Sequence, residues 1–200
     1  MNSQRVLPSL AKLSVIDRLK VNSTVKVIVL CHGRPFEGHW QELVIRERTE
    51  ELFADRLVAG EMLDFFTLDP QSDPNNPADF PMGGAQTLFA ETKFSKNARW
   101  DMVWAPDCGG EWFHMTEMKG EQQRQRFTEL VMTMSMSLKP GGFMMLGKLP
   151  FVPPYQSDTS LKQAIDLLVD AGFARAESAP MPDPYAPERQ LDYILVQKKL

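Results

Sequence analysis

The chain predicts a doubly wound α/β domain, a mostly parallel seven-stranded sheet with an antiparallel last strand. Short β-branched apolar runs such as VKVIVL alternate with longer helical stretches, the pattern of strands buried on both faces beneath crossover helices. The segment Lys139-Pro140-Gly141-Gly142 stops one helix and turns the chain into another apolar run, since Pro cannot continue a helix and Gly supplies positive φ. The tail closes on two strand-like runs, FARAES and LDYILVQ, which places an antiparallel pair at the sheet's edge.

Taken in order, residues 9–20 read as a short amphipathic helix, with Ser9 as cap and Leu10, Leu13 and Ile16 on one face. VKVIVL (25–30) is the first strand, and a turn at CHGRP leads to a helix over 40–58. MLDFFTLD (62–69) is the second strand and ends in a loop carrying Pro70, Pro74, Pro77 and Pro81; a third strand is expected near Ala78 to Met82. WDMVWAP (100–106) is the fourth, closed by Pro106, Gly109 and Gly110, and a polar helix spans 120–138. GFMMLGKL is the fifth, followed by the helix SLKQAIDLLVDA, whose Leu161, Ile165, Leu168 and Val169 form an apolar face that ends at Gly172. FARAES, a loop with Pro180, Pro182, Pro184 and Pro187, and LDYILVQ complete the chain.

At 200 residues the chain holds one sizeable core, read as an arm over 1–24 and a single α/β domain over 25–200. A net charge of −4 gives no global attraction to phosphate backbones or anionic membranes. A nucleic-acid partner would need a local basic patch, for which Arg46 with Arg48 and Arg124 with Arg126 are the candidates; solvated helix faces fit the same residues. No apolar run approaches the roughly 20 residues of a membrane span, and the N-terminus lacks the pattern of a secretory signal. Two cysteines, Cys31 and Cys108, are too few for a disulfide framework, so thiols in a reducing, cytoplasmic compartment are expected. Twelve methionines, with Met132, Met134 and Met136 clustered, fit either core packing or an adaptable contact surface in a larger complex.

From Trp100 onward, about half of the chain, the ordered signals resemble the class I S-adenosylmethionine-dependent methyltransferases. WDMVWA resembles that family's fourth strand with its aspartate, SLKPGGFMMLGK resembles its fifth, and the later helix, AGF and closing pair complete the pattern. The resemblance implies a class I methyltransferase-like fold, S-adenosylmethionine as cofactor, and methyl transfer to an acceptor that the sequence does not identify. It also implies a cofactor site: Cys31, His32 and Gly33 after the first strand, Asp69 toward the ribose, Gly84 and Ala85 in MGGAQTLF, and Asp101 and Trp104 on the fourth strand. VIVLCHGRP departs from the family's glycine-rich turn. Only Gly33 of the usual glycines is present, Cys31 and Pro35 stand where the flanking two would be, and Val29 stands where an acid is common. Gly84 likewise takes the place of a usual aspartate. A non-catalytic binding or structural module of the same fold fits these departures.

Adjacent first and fourth strands would bring Cys31 and His32 opposite Asp107 and Cys108, with Glu111, Trp112 and His114 beyond. Asp107, His32 or Glu111 can act as the base for a protonated acceptor, with Cys108 in the same pocket. Each also fits a turn or cap. The pair His32-Gly33 and Cys108-Gly109 resembles the positions used by caspase-like cysteine hydrolases, a further alternative in which His32 activates the Cys108 thiol. No metal site is expected, because Cys31, His32, Cys108 and His114 include no close-spaced ligand pair.

Overall fold

The computed structural model describes residues 13–30, 40–68, 79–80, 99–105, 120–147, 161–183 and 186–200. The elements are α1 (Val15–Lys20), β1 (Thr24–Leu30), α2 (Trp40–Leu52), α3 (Ala54–Val58), β2 (Met62–Leu68), β3 (Trp100–Ala105), α4 (Gly120–Ser135), β4 (Leu138–Leu146), α5 (Leu161–Asp170), β5 (Arg175–Ser178), β6 (Met181–Asp183), β7 (Ala186–Leu191) and β8 (Ile194–Gln197). Six strands form one sheet in the order β2-β1-β3-β4-β8-β5. β1 runs parallel to β2 and β3, and β3 parallel to β4; β8 is antiparallel to β4 and β5. This is the doubly wound, class I methyltransferase-like α/β class that the sequence predicts.

All seven residues of β1 are buried, and their alternation feeds two cores. Ile28 and Leu30 face one layer with Phe66, Leu68, Phe127, Val131, Met134, Ala164 and Leu168, beneath α4 and α5. Val25, Val27 and Val29 face the other with Ile45, Phe53, Trp104 and Met145, beneath α2 and α3. Helical spacing matches: Gln123, Phe127, Leu130, Val131 and Met134 are the buried stripe of α4.

Several boundaries differ from the sequence reading. The expected third strand appears among the described residues as a single parallel bridge, Leu68 to Phe80, so the sheet counts six described strands rather than seven. Leu191 belongs not to the last strand but to β7, which pairs with β6 as a separate two-stranded ribbon in the stretch read as a proline-rich loop. The KPGG segment lies inside β4 as a bulge. Between the pairs Trp100–Leu138 and Met102–Phe143, β4 carries three residues more than β3. Gly141 adopts φ 75 there, and a Cβ on Gly142 would lie 3.0 Å from the Asp101 carbonyl.

The inward face of α1 also differs. Leu13 and Ile16 are exposed, at 41% and 66%, while Val15 and Leu19 pack on the core and Arg18 is buried. The cap is Ser14, whose Oγ accepts from the Asp17 N–H; Ser9 and Leu10 lie outside the described residues. Arg18 decides the orientation. Its Nε and Nη2 donate to Asp64 Oδ1 at 3.0 and 2.5 Å, its Nη1 donates to Asp79 Oδ1 at 3.1 Å, and its guanidinium lies 4.3 Å from the Phe66 ring centroid. A buried cation of this kind is stable only where paired, and no apolar stripe reveals it. On α5, Ala164 is buried while Val169 is 50% exposed, so the inner stripe is shifted from the expected one.

Burial pushes the Asp64 carboxyl above its ordinary value of 3.8, against the pull of Arg18. The folded state therefore holds this proton more tightly than the unfolded chain, and the site loses stability as pH rises from 3.8 through the folded pKa. The wild type should gain on Asp64→Asn as the medium is acidified through that window, in urea unfolding followed from about pH 7 to about pH 4. An advantage that shrinks on acidification would contradict the shift.

Candidate functional site

In a parallel sheet whose connections reverse direction, ligands bind past the carboxyl ends of the strands at the reversal. Here β2 lies on one side of β1 and β3 on the other, and Val29 pairs with Trp104, so the chain leaves Leu30 and Ala105 side by side. The segments after these two residues, 31–39 and 106–119, carry Cys31, His32, Gly33, Asp107, Cys108, Glu111 and His114, and they lie outside the described residues. Asp69, Gly84 and Ala85 lie outside them as well. Two of the expected site residues, Asp101 and Trp104, are described.

Trp104 is fully buried in the α2-side core. Its Nε1–H donates to Thr49 Oγ1 at 3.1 Å, and that hydroxyl donates to the Ile45 carbonyl at 2.6 Å, so the indole is anchored to α2. Tyr193, just before β8, meets the Trp104 ring edge to face at 6.4 Å. It also covers Gly147 at the carboxyl end of β4, where a Cβ would lie 2.1 Å from the Tyr193 ring. The space freed by that missing side chain is thus filled by the protein itself.

Asp101 is the second residue of β3, at the amino end of the strand, whereas ligands of doubly wound sheets bind past the carboxyl ends. Its side chain is 4% exposed and fully engaged. Oδ2 accepts from the Lys26 backbone N–H at 2.8 Å and from Lys139 Nζ at 2.7 Å, and Oδ1 accepts from Arg56 Nη1 at 2.5 Å. Arg56 also forks onto Glu61, whose hydrogen bonds hold the Glu61 carboxyl below its usual value. The Lys26 ammonium, pushed down by burial, donates to the Leu19 carbonyl at 2.8 Å. The aspartate is therefore a hub that ties β1, α3 and the β4 bulge to β3.

At the carboxyl end of β2, Thr67 is clasped by Asp79. The Thr67 N–H donates to Asp79 Oδ2 at 3.0 Å, and the Asp79 N–H donates back to Thr67 Oγ1 at 3.1 Å. The sequence reading does not single out Arg18, Asp79 or Tyr193; Arg18 shares its short helix with the charged Asp17 and Lys20, so no pattern sets it apart, and an acid returning after a proline-rich loop is the signal that marks Asp79. The basic candidates pair with local acids: Arg48 with Glu51 at 2.6 Å, Arg124 with Glu121 at 3.0 Å and Arg126 with Glu129 at 3.5 Å, while Arg46 lies over Phe65. Met134 is core, and Met132 and Met136 are 43% and 56% exposed. Among the described residues no group of His, Cys, Asp or Glu could hold a metal ion, and no helix is long and apolar enough to cross a membrane.

No family model and no curated protein matches the chain. Among solved structures it is similar to the CurJ carbon methyltransferase, at 15% identity and TM-score 0.40, over 98% of this chain and 52% of that one. It is similar to a SAM-dependent methyltransferase of Methanosarcina mazei at 12% identity and TM-score 0.39, over 94% of this chain and 99% of that one. It is also similar to the O-methyltransferase TomG of Streptomyces achromogenes at 11% identity and TM-score 0.42, over 96% and 80%. The chain spans about half the length of the CurJ structure. These are distant likenesses, and the fold class rests on strand order and register.

Two substitutions test the scaffold. Asp101→Asn should lower stability by roughly 1–3 kcal/mol, because it weakens charge-assisted bonds to Arg56 and Lys139, read as a lower midpoint in urea. An unchanged midpoint would show that these bonds carry no net stability. Gly147→Ala should cost about 1–3 kcal/mol by overpacking against Tyr193, read as a lower midpoint in urea. A neutral result would show that the ring moves freely.

Proposed function

We propose that the chain binds S-adenosylmethionine in the crevice past Leu30 and Ala105 and transfers its methyl group to an acceptor held against the segment after β3. The observation that supports this reading is the strand order β2-β1-β3, which puts the reversal of chain direction between β1 and β3. S-adenosylmethionine, when bound, supplies an electrophilic methyl group. The chain's own part is to place and deprotonate: Gly33 admits the ligand close to the backbone, Asp69 accepts from ribose hydroxyls, and Gly84 with Ala85 borders the adenine. Asp107, His32 or Glu111 takes a proton from the acceptor, with Cys108 in the same pocket. The acceptor's chemical class is left open, and a reducing, cytoplasmic setting suits the two thiols.

A second reading draws on Val29. At the position where the methyltransferase pattern commonly has an acid, this side chain is fully buried in the α2-side core and offers no acceptor. A protein of this fold without that acid, and with Cys31 and Pro35 beside Gly33, fits a non-catalytic module in a larger complex.

The cofactor decides between them. S-adenosylhomocysteine at about a hundredfold excess over its dissociation constant should stabilise the native state by about 2.7 kcal/mol, a melting shift on the order of 5 to 10 °C. Asp69→Ala should reduce the shift and Gly33→Val abolish it. A folded protein that shows neither shift nor calorimetric heat at millimolar ligand leaves the non-catalytic reading in front.

A further inference from the structure

The two edges of the sheet are built differently. On the β2 edge the chain returns to meet its own strand: Phe80 bridges to Leu68, and Asp79 Oδ2 accepts from the Thr67 N–H at 3.0 Å. On the opposite edge β5 has β8 as its one strand partner among the described residues, pairing in unbroken register from Arg175 with Gln197 to Ser178 with Ile194. An edge of this kind templates a further strand unless its side chains forbid one. Those of β5 do not. The strand carries no proline, and its charges are one of each sign. Arg175 Nε and Nη2 donate to Glu177 at 2.8 and 2.5 Å, with the two side chains 50% and 41% exposed. Ala176, between them, points to the other face and packs, partly buried, on the core beneath α4 and α5.

Opposite charges at i and i+2 of one strand are self-complementary about a two-fold axis. When β5 pairs antiparallel with β5 of a second copy, centred on Ala176, Arg175 stands opposite the partner's Glu177 and Glu177 opposite the partner's Arg175, all four on one face. Charges of a single sign, a common guard on an exposed edge, would repel in that arrangement. We infer that the outer edge of β5 is a self-association surface, through which two copies of this chain join antiparallel into one continuous sheet. The axis falls three strands away from β3, so the strand ends at β1 and β3 stay clear of the contact. Four paired residues bury too little surface for an obligate dimer, so the association is reversible and depends on concentration. Because its ion pairs are exposed, added salt weakens it.

The test uses the full chain, followed by sedimentation velocity at low salt from about 5 to about 500 µM, the range in which a weak dimer forms. The wild type should pass from monomer to dimer as concentration rises. Arg175→Glu sets like charges opposite each other at both symmetric positions, as does Glu177→Arg, and each should weaken association at least about tenfold. Both variants should remain folded, since an exposed ion pair contributes little to stability. Making the two changes in one chain should restore the dimer. An equimolar mixture of the two single variants should form a mixed dimer, because one chain then offers two acids and the other two bases. In the wild type, amide exchange within Arg175–Ser178 should slow on concentration while Val27 stays unchanged, a readout that needs no variant. A wild type that stays monomeric throughout, a dimer indifferent to the two single changes, or a mixture that does not associate overturns the inference.

Discussion

A strand paired on both edges and covered on both faces leaves its chain few choices, and β1 is such a strand. Its partners are parallel, so neither can be reached by a hairpin; each requires a crossover of a dozen or more residues. The crossovers must also supply apolar cover, because Ile28 and Leu30 present one face and Val25, Val27 and Val29 the other. Helices on both sides of the sheet follow from that requirement. The chain also departs side by side after Leu30 and Ala105, because β3 takes the other edge of β1 in parallel register.

The buried charges divide between the two layers around this strand. Asp101 accepts from the backbone of β1, from the β4 bulge and from Arg56 of α3, so a one-residue slip of β3 would strip a buried carboxylate of all three donors. Arg18 performs the corresponding task at the sheet's other flank, joining α1 to β2 and to Asp79. Apolar contacts reward any register that buries enough surface, whereas these groups reward a single one. Asp64 shows the cost: one of its oxygens is buried without a hydrogen-bond partner, and desolvation dominates its titration.

The layered fold was legible because its signal is redundant. The central strands β1 and β3 are unbroken runs of buried side chains, the crossovers are long, and the closing pair sits where an antiparallel edge belongs. Local geometry was less legible where one contact outweighs a pattern. The stripe Leu10, Leu13 and Ile16 is a fair helical face, yet a single ion-paired arginine turns α1 so that Leu13 and Ile16 face solvent. KPGG has the composition of a turn, yet pairing on either side of it makes it a bulge within β4. The aspartate of WDMVWA matched a family position by its place in the motif, but strand polarity puts it at the amino end, where its partners are lysine, arginine and a backbone amide. Of the expected site, Asp101 and Trp104 are described, and both are anchored within the scaffold. The remaining candidates lie outside the described residues, in segments whose sequence carries no periodicity to fix a side chain's direction.

Strand polarity also constrains Val29, one residue from the carboxyl end of β1. Alternation assigns position 29 to the α2-side core, with Val25 and Val27, so an acid there would have to reach past its apolar neighbours toward the crevice. Valine instead completes the apolar row and closes the core directly beneath the strand's end. The first polar side chain that the sequence offers past this end of β1 is His32, after Cys31, and the first position free of side-chain bulk is Gly33. At the neighbouring end of β2 the polar groups belong to the scaffold, with Asp79 bonded both to Thr67 and to Arg18.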